Sequence, residues 1–169
     1  MKRTSLLACL LLLAAQPAIA QQAAQGTSQA RINITGWRLE CDAQTKLACH
    51  LSNQITQLPT GGLIISMTLV PVASGKTQLT MQVPLGAAVG TPIIVNLGNG
   101  VTQNYPYLTC SQQGCFATAT VQDAVLSAMR AGKSEMKVTY TILDQTLAPH
   151  DINASIALTG FSEVYDKLK

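Results

Sequence analysis

Four of the five cysteines lie in two close pairs and are the residues of this chain best suited to chemistry, while Cys9 lies near the N-terminus, apart from them. Seven residues separate Cys41 from Cys49, and four separate Cys110 from Cys115. Neither spacing matches the C-x-x-C of a redox site or the paired C-x2-C of a zinc site, so disulfide bonds are favoured and no metal or cofactor is predicted. Sequential pairing, Cys41–Cys49 and Cys110–Cys115, is the economical choice because each loop is short, but the sequence leaves the two other pairings open.

The two histidines do not form a recognisable catalytic pattern. His150 precedes Asp151, but no nucleophile motif such as G-x-S-x-G lies nearby, and Pro149-His150-Asp151 is expected to be an exposed loop. His50 directly follows Cys49, and the two histidines lack the i, i+4 spacing of a helical metal site. We therefore predict no catalytic residues and no enzyme activity.

The first twenty residues have the pattern of a secretory signal peptide. Lys2 and Arg3 precede an apolar run over residues 6–15, and Ala18-Ile19-Ala20 is a small-x-small cleavage site. Cleavage is predicted after Ala20. Spanning a bilayer takes about 20 apolar residues and this run is about half that long, so no transmembrane segment is expected after cleavage.

Export would leave residues 21–169 with a nearly neutral charge. Loss of Lys2 and Arg3 lowers the formal net charge from +3 to +1, which gives no basic patch for nucleic acid. Residues 21–31 are rich in Gln, Ala, Gly and Ser and are predicted to be a flexible mature N-terminus. Residues 32–169 are then long enough for one domain with its own core. Disulfides in such a domain fit an oxidising compartment.

Hydrophobic periodicity predicts a mainly β protein. Period-two alternation over residues 37–41, 77–83 and 136–142 indicates half-buried strands, and Pro106 makes residues 102–108 an edge or bent strand. The period changes to helical over residues 121–131, where Thr120 can cap the helix and Gly132 can end it. We predict an Ig-like antiparallel β-sandwich of seven to nine strands, with this short helix after the second disulfide loop and a short C-terminal helix.

Several short motifs, in order, resemble the invasion-associated locus B (IalB) family of exported bacterial envelope proteins. They are Gly36-Trp37-Arg38-Leu39-Glu40-Cys41, Ala48-Cys49, Val83-Pro84-Leu85-Gly86, Tyr107-Leu108-Thr109-Cys110, Gly114-Cys115-Phe116-Ala117, the helix over 123–132, and Leu158-Thr159-Gly160-Phe161. The resemblance implies a β-sandwich in the periplasm or on the cell surface of a Gram-negative bacterium. Some members are linked to host-cell invasion, and no catalytic residues are carried over.

The resulting functional hypothesis is a non-enzymatic envelope protein that acts through protein–protein, cell-envelope or host-surface contacts. Its partner would be an unknown protein in the envelope or on a host cell. Tyr105, Tyr107 and Phe116 are the candidate interaction surface, although burial statistics favour core packing of these residues beside the disulfide. The alternative hypothesis is a periplasmic small-ligand-binding or chaperone-like accessory domain that uses a sheet edge.

Overall fold

The computed structural model describes residues 31–34, 36–41, 49–72, 75–132 and 135–168, with no side chains described for 31–34. The predicted signal peptide and nearly all of the predicted flexible N-terminus lie outside the described residues. Both remain predictions. Order was expected from residue 32, and the first described strand begins at Arg31.

The described residues form eleven strands and two helices, so the predicted mainly β class is confirmed while the strand count exceeds the expected seven to nine. The strand predicted over residues 136–142 extends over 135–143, and residues 102–108, predicted to be one strand, belong to two. The elements are β1 (Arg31–Ile34), β2 (Arg38–Cys41), β3 (Cys49–Leu58), β4 (Gly62–Pro71), β5 (Thr77–Val83), β6 (Ile93–Asn96), β7 (Thr102–Tyr105), β8 (Tyr107–Ser111), β9 (Gly114–Thr120), α1 (Asp123–Ala131), β10 (Glu135–Leu143), β11 (Pro149–Ala157) and α2 (Phe161–Asp166).

These strands build two antiparallel sheets that face each other. The large sheet has the order β1-β3-β4-β5-β9-β8, with β2 also paired to β3, and the small sheet has the order β11-β10-β6-β7. The predicted antiparallel β-sandwich is therefore confirmed.

The core lies between the inner faces of the two sheets, where every second side chain of a strand points. Leu79, Met81 and Val83 of β5 are fully buried from the large sheet, and Met136 and Val138 of β10 from the small sheet. Burying each such side chain stabilises the fold by about 1.5–3 kcal/mol.

The two helices close one end of the sandwich. Phe161 of α2 packs edge-on against Trp37, with ring centroids 4.9 Å apart, and stacks on Tyr165 at 5.5 Å. Arg130 of α1 forms an ion pair of 2.6 Å with Asp166 of α2. The hydroxyl groups of Tyr165 and Thr77 are hydrogen-bonded, which places α2 at the start of β5.

Helix α1 ends as predicted but begins differently. Gly132 lies in the left-handed region at φ 61°, where glycine is favoured, and its N–H donates to the Met129 carbonyl. Gln122, rather than the predicted Thr120, occupies the N-cap and makes no side-chain capping bond. The side chain of Gln103 orders this entry instead: its Oε1 accepts from the Gln122 N–H at 2.9 Å, and its Nε2 donates to the Thr120 carbonyl at 2.7 Å.

Residues 102–108, predicted to be one bent strand, are parts of two strands in different sheets. Pro106 separates β7 of the small sheet from β8 of the large one. Because proline lacks a backbone N–H, it interrupts the ladder where the chain changes sheets. The prediction of a loop at 149–151 was also wrong, since these residues pair with β10 as the start of β11.

Both disulfides are present in the sequential pairing. Cys41–Cys49 joins directly opposite residues of β2 and β3, and Cys110–Cys115 does the same for β8 and β9. Among the described residues, no helix is both long and apolar enough to cross a membrane.

Candidate functional site: a cleft between the sheets

The predicted interaction surface is not an exposed patch. Tyr105 is fully buried because β7 turns Gln103 and Tyr105 toward the core, whereas Tyr107 and Phe116 are half-buried. Burial raises the pKa of Tyr105 far above its usual value and that of Tyr107 to about 12. Neither hydroxyl has a hydrogen-bond partner in the described part of the chain. Tyr105 is therefore a core residue, a correction to its proposed role in an exposed surface.

A β-bulge at Ile64 interrupts the regular pairing of β3 and β4. Ile55 lies opposite Ile65, but the next residue, Thr56, lies opposite Leu63, so Ile64 is the extra residue. A bulged residue leaves the regular ladder and bends its strand. The Ile64 carbonyl accepts a 2.8 Å hydrogen bond from the Tyr140 hydroxyl of the small sheet. Burial, and secondarily the nearby Tyr107, raises the pKa of Tyr140 to about 12.

An open cleft of about 720 Å³ lies between the two sheets beside this bulge. Its lining is dominated by aliphatic side chains from both sheets and from the loop after β5. The described lining residues are Ile55, Gln57, Leu63, Ile64, Pro84, Leu85, Gly86, Tyr140, Ile142, Leu143, Asp151, Ile152, Asn153, Ala154 and Ser155. A concave site of this size and polarity is typical of ligand and peptide binding sites.

The loop at 84–86 is fixed against β10 at the mouth of the cleft. The Leu143 N–H donates to the Gly86 carbonyl at 2.8 Å, and the Ala88 N–H donates to the Thr141 carbonyl at 2.8 Å. Gly86 has φ +96°, a conformation that side chains disfavour. These constraints hold Leu85 and Leu143 at the mouth, where they are 59% and 39% exposed.

The only charged side chain among the described lining residues is Asp151. Its Oδ1 accepts a 2.8 Å hydrogen bond from the Thr141 hydroxyl. The lining therefore has a weakly acidic rim and an apolar interior.

A second carboxylate orders the turn that follows Leu143. Asp144 accepts hydrogen bonds from the Thr146 hydroxyl at 2.6 Å and from the Ala148 N–H at 3.0 Å, and it contacts His150 Nε2 at 2.8 Å. The Thr146 hydroxyl, followed by His150 and the Ala148 N–H, lowers the pKa of Asp144 to about 2. Asp144 therefore stays ionised, and an acceptor for these hydrogen bonds, well below neutral pH.

The other histidine belongs to a Ser–Glu–His cluster that the sequence did not reveal. The Ser52 hydroxyl donates to Glu40 Oε1 at 2.6 Å, and His50 Nε2 lies 3.3 Å from Glu40 Oε2. A hydrolytic triad needs the histidine between the serine and the carboxylate, whereas here the carboxylate is in the middle. The Ser52 bond, partly opposed by desolvation, lowers the pKa of Glu40, which makes it a weak base. No cluster that could hold a metal ion occurs within the described ranges.

Sequence reasoning missed the cleft because its described lining residues come from five separate segments. Residues 83–86 were singled out for the family resemblance, and residues 149–151 were predicted to be a loop. The bulge that brings Ile64 beside them has no local signal. A bulge is defined by the pairing of two strands, and pairing is a long-range property.

Fold and site together define a disulfide-bonded, two-sheet β-sandwich protein with an apolar cleft between its sheets. A family model described as "Invasion associated locus B (IalB) protein" matches residues 37–169. The chain belongs to this family, so the predicted family is confirmed.

Individual relatives agree with this assignment. Invasion protein B homologs from Brucella abortus strain 2308 and from biovar 1 strain 9-941 are each 23% identical over 145 residues, which cover 85% of this chain and 82% of theirs. The crystal structure of invasion associated protein b from Bartonella henselae matches with a TM-score of 0.66 at 23% identity, covering 80% of this chain and 93% of the other. This structural likeness supports the fold.

Proposed function

We propose that this protein is an exported, non-enzymatic envelope protein of the IalB type that binds another protein through the cleft between its sheets. The observation that carries the proposal is the aliphatic cleft with Leu85 and Leu143 exposed at its mouth. Exposed apolar surface next to a concavity is a feature of interaction sites. The partner would lie in the bacterial envelope or on a host cell.

Export to the periplasm or cell surface of a Gram-negative bacterium is part of the proposal. The signal-peptide pattern of residues 1–20 and the two disulfides support it. Sequencing the N-terminus of the protein recovered from the periplasmic or surface fraction should give Gln21 as the first residue. An uncleaved N-terminus in the cytosolic fraction would contradict export.

Photo-crosslinking in intact cells tests the interaction. A photoreactive amino acid at position 85 or 143 should crosslink to the same discrete protein. Leu108 is a matched control because it is also an exposed leucine, at 73%, but belongs to β8 and does not line the cleft. Equal crosslinking from all three positions, or turnover of a defined substrate by the purified protein, would overturn the proposal.

Small-ligand binding is the second candidate, because about 720 Å³ lies within the usual range for small-molecule sites. Native mass spectrometry of protein purified from its host should then show a bound molecule. An Ala154→Phe variant, which fills the cleft from β11, should lose that molecule. A single unliganded mass in both forms would argue against this candidate.

A further inference from the structure

One edge of strand β11 pairs with no other strand among the described residues. All nine residues of β11 pair with β10 on one side, and β11 is the outermost strand of the small sheet. The free side of an edge strand presents the N–H and C=O groups of alternate residues. Such an edge can pair with another extended chain.

Trp37 shows which residues of β11 turn their backbone outward. Its indole Nε1–H donates to the Ala157 carbonyl at 3.0 Å, at the end of β11 nearest α2. Because backbone direction alternates, Ser155, Asn153 and Asp151 point their N–H and C=O groups the same way. Pro149 belongs to the same set, and a proline there fits a free edge because its missing N–H would point outward.

The cleft follows this free edge. Five consecutive residues, 151–155, line it, although their side chains alternate between the two faces of the sheet. Ala154 is buried in the core, whereas exposed Asn153 bonds to Thr139 on the outer face. A surface that touches both faces in turn must run along the backbone edge itself.

The chemistry of the lining specifies the occupant. Ile152 and Ala154 form one wall and Ile55 of the opposite sheet forms another, so alternate residues of an added strand would enter an aliphatic space. Asp151 is the only charge among the described lining residues, with no lysine or arginine beside it. Charge complementarity therefore favours a basic residue in the occupant.

We propose that the cleft takes an extended segment of a partner protein as an extra strand on β11, with alternate aliphatic residues pointing inward and a lysine or arginine beside Asp151. This inference rests on the proposed function, since it specifies the partner chemistry of the same site. A second copy of the chain fits less well: self-pairing of β11 centred on Asn153 would place Ser155, not a cation, opposite Asp151.

The direct test uses a fluorescein-labelled synthetic peptide, KVTVTVK, and the same peptide with its central backbone nitrogens methylated. Methylation keeps the side chains and removes the donors that strand pairing needs. We expect saturable binding of the first peptide by fluorescence anisotropy and at least about tenfold weaker binding of the second, since two or more hydrogen bonds are lost. Equal affinity of the two peptides, or binding of neither, overturns the inference.

Two variants locate the bound strand on β11. Asn153→Pro removes an outward N–H and the exposed side-chain bond to Thr139, but no backbone hydrogen bond to β10. It should weaken peptide binding about tenfold while circular dichroism stays unchanged. Asp151→Asn should abolish the preference for KVTVTVK over EVTVTVE. The methylated-peptide comparison uses the unaltered protein and remains decisive if either variant fails to fold.

The outcomes separate this inference from the proposed function. If methylation has no effect while crosslinks from positions 85 and 143 still identify one protein, the interaction stands and strand addition is wrong. If the crosslinks fail and the peptide still binds with the predicted methylation effect, the edge of β11 can accept an added strand. The proposal of a protein partner in the envelope or on a host cell is then wrong.

Discussion

The hydroxyl of Tyr140 donates to the carbonyl of Ile64 at 2.8 Å, a hydrogen bond that joins the two sheets where a β-bulge interrupts the pairing of β3 and β4. The bond satisfies a carbonyl that the β-bulge removes from the ladder. It also lies in the wall of the cleft, so it connects the stability of the sandwich to the shape of the candidate site.

Replacing Tyr140 with phenylalanine should lower the free energy of unfolding by about 1–3 kcal/mol, because the Ile64 carbonyl loses its donor. Urea denaturation monitored by fluorescence measures this change. Tyr107→Phe is the matched control: its hydroxyl is buried without a partner in the described region, so its removal should be neutral or slightly stabilising. Equal losses in both variants would contradict the assigned role of the bond.

The raised pKa of Tyr140 predicts a loss of stability at alkaline pH. Its folded pKa, about 12, lies above the ordinary value of 10.0, so the neutral form is favoured by folding. The contribution of the neutral Tyr140 hydroxyl to the free energy of unfolding is fully present below pH 10 and is lost as the pH rises toward 12. Urea midpoints between pH 9 and 11.5 should fall less steeply for Tyr140→Phe than for the parent protein, and parallel curves would contradict the prediction.

Gly114→Ala should destabilise the protein by about 2–4 kcal/mol. Gly114 has φ +135°, and a Cβ at this position would collide with the Val83 carbonyl oxygen. Gly61→Ala is a suitable control, because Gly61 also has a positive φ, +70°, but lies in open space. This variant should lower the free energy of unfolding by only about 1 kcal/mol. Thermal or urea unfolding measures both, and similar losses would show that the close approach to β5 is unimportant.

Asp144 should make stability depend on pH in the acid range. The pKa of Asp144 in the folded protein, about 2, lies below the ordinary 3.8. The contribution of the ionised carboxylate to stability is therefore present above pH 3.8 and is lost as the pH falls toward 2. Asp144→Asn should flatten this part of the stability curve. Carbon-detected NMR of the carboxyl group offers a second measurement: Thr146→Val should raise the Asp144 pKa, and an unchanged pKa would contradict the assigned cause.

The disulfide pairing predicts that thiol titration of the oxidised, unfolded protein finds Cys41, Cys49, Cys110 and Cys115 unreactive. A double Cys110→Ser, Cys115→Ser variant should lose about 2 kcal/mol in the loop-entropy model, since the loop closed by this bond is short. Four reactive thiols, or a peptide map that links Cys49 to Cys110, would refute this pairing.

Local patterns in the sequence were sufficient for most of the fold. The alternation over 77–83 matches β5 at both ends, and Gly132 ends α1 as expected. Both features depend on residues that are close in the chain, where side-chain period and backbone preference act directly.

Features that depend on distant segments were not predictable in the same way. Pro106 was predicted to make residues 102–108 an edge or bent strand, but the change of sheet there depends on the strands with which β7 and β8 pair. Tyr105 was offered for an exposed surface, although its burial follows from the small sheet packing onto the large one. The cleft forms only where the Ile64 bulge, the loop at 84–86 and β11 come together, and no local sequence pattern predicts that these segments meet.

The closure of one end of the sandwich by α1 and α2 has a practical consequence for presenting this protein to a partner. Strand β5 starts at Thr77, bonded to Tyr165 of α2, and ends at Val83, next to the residues at the cleft mouth. Its seven residues span roughly 23 Å at about 3.3 Å each. Tethering the protein to a bead or sensor surface through a tag after α2 would therefore leave the mouth of the cleft facing the solution.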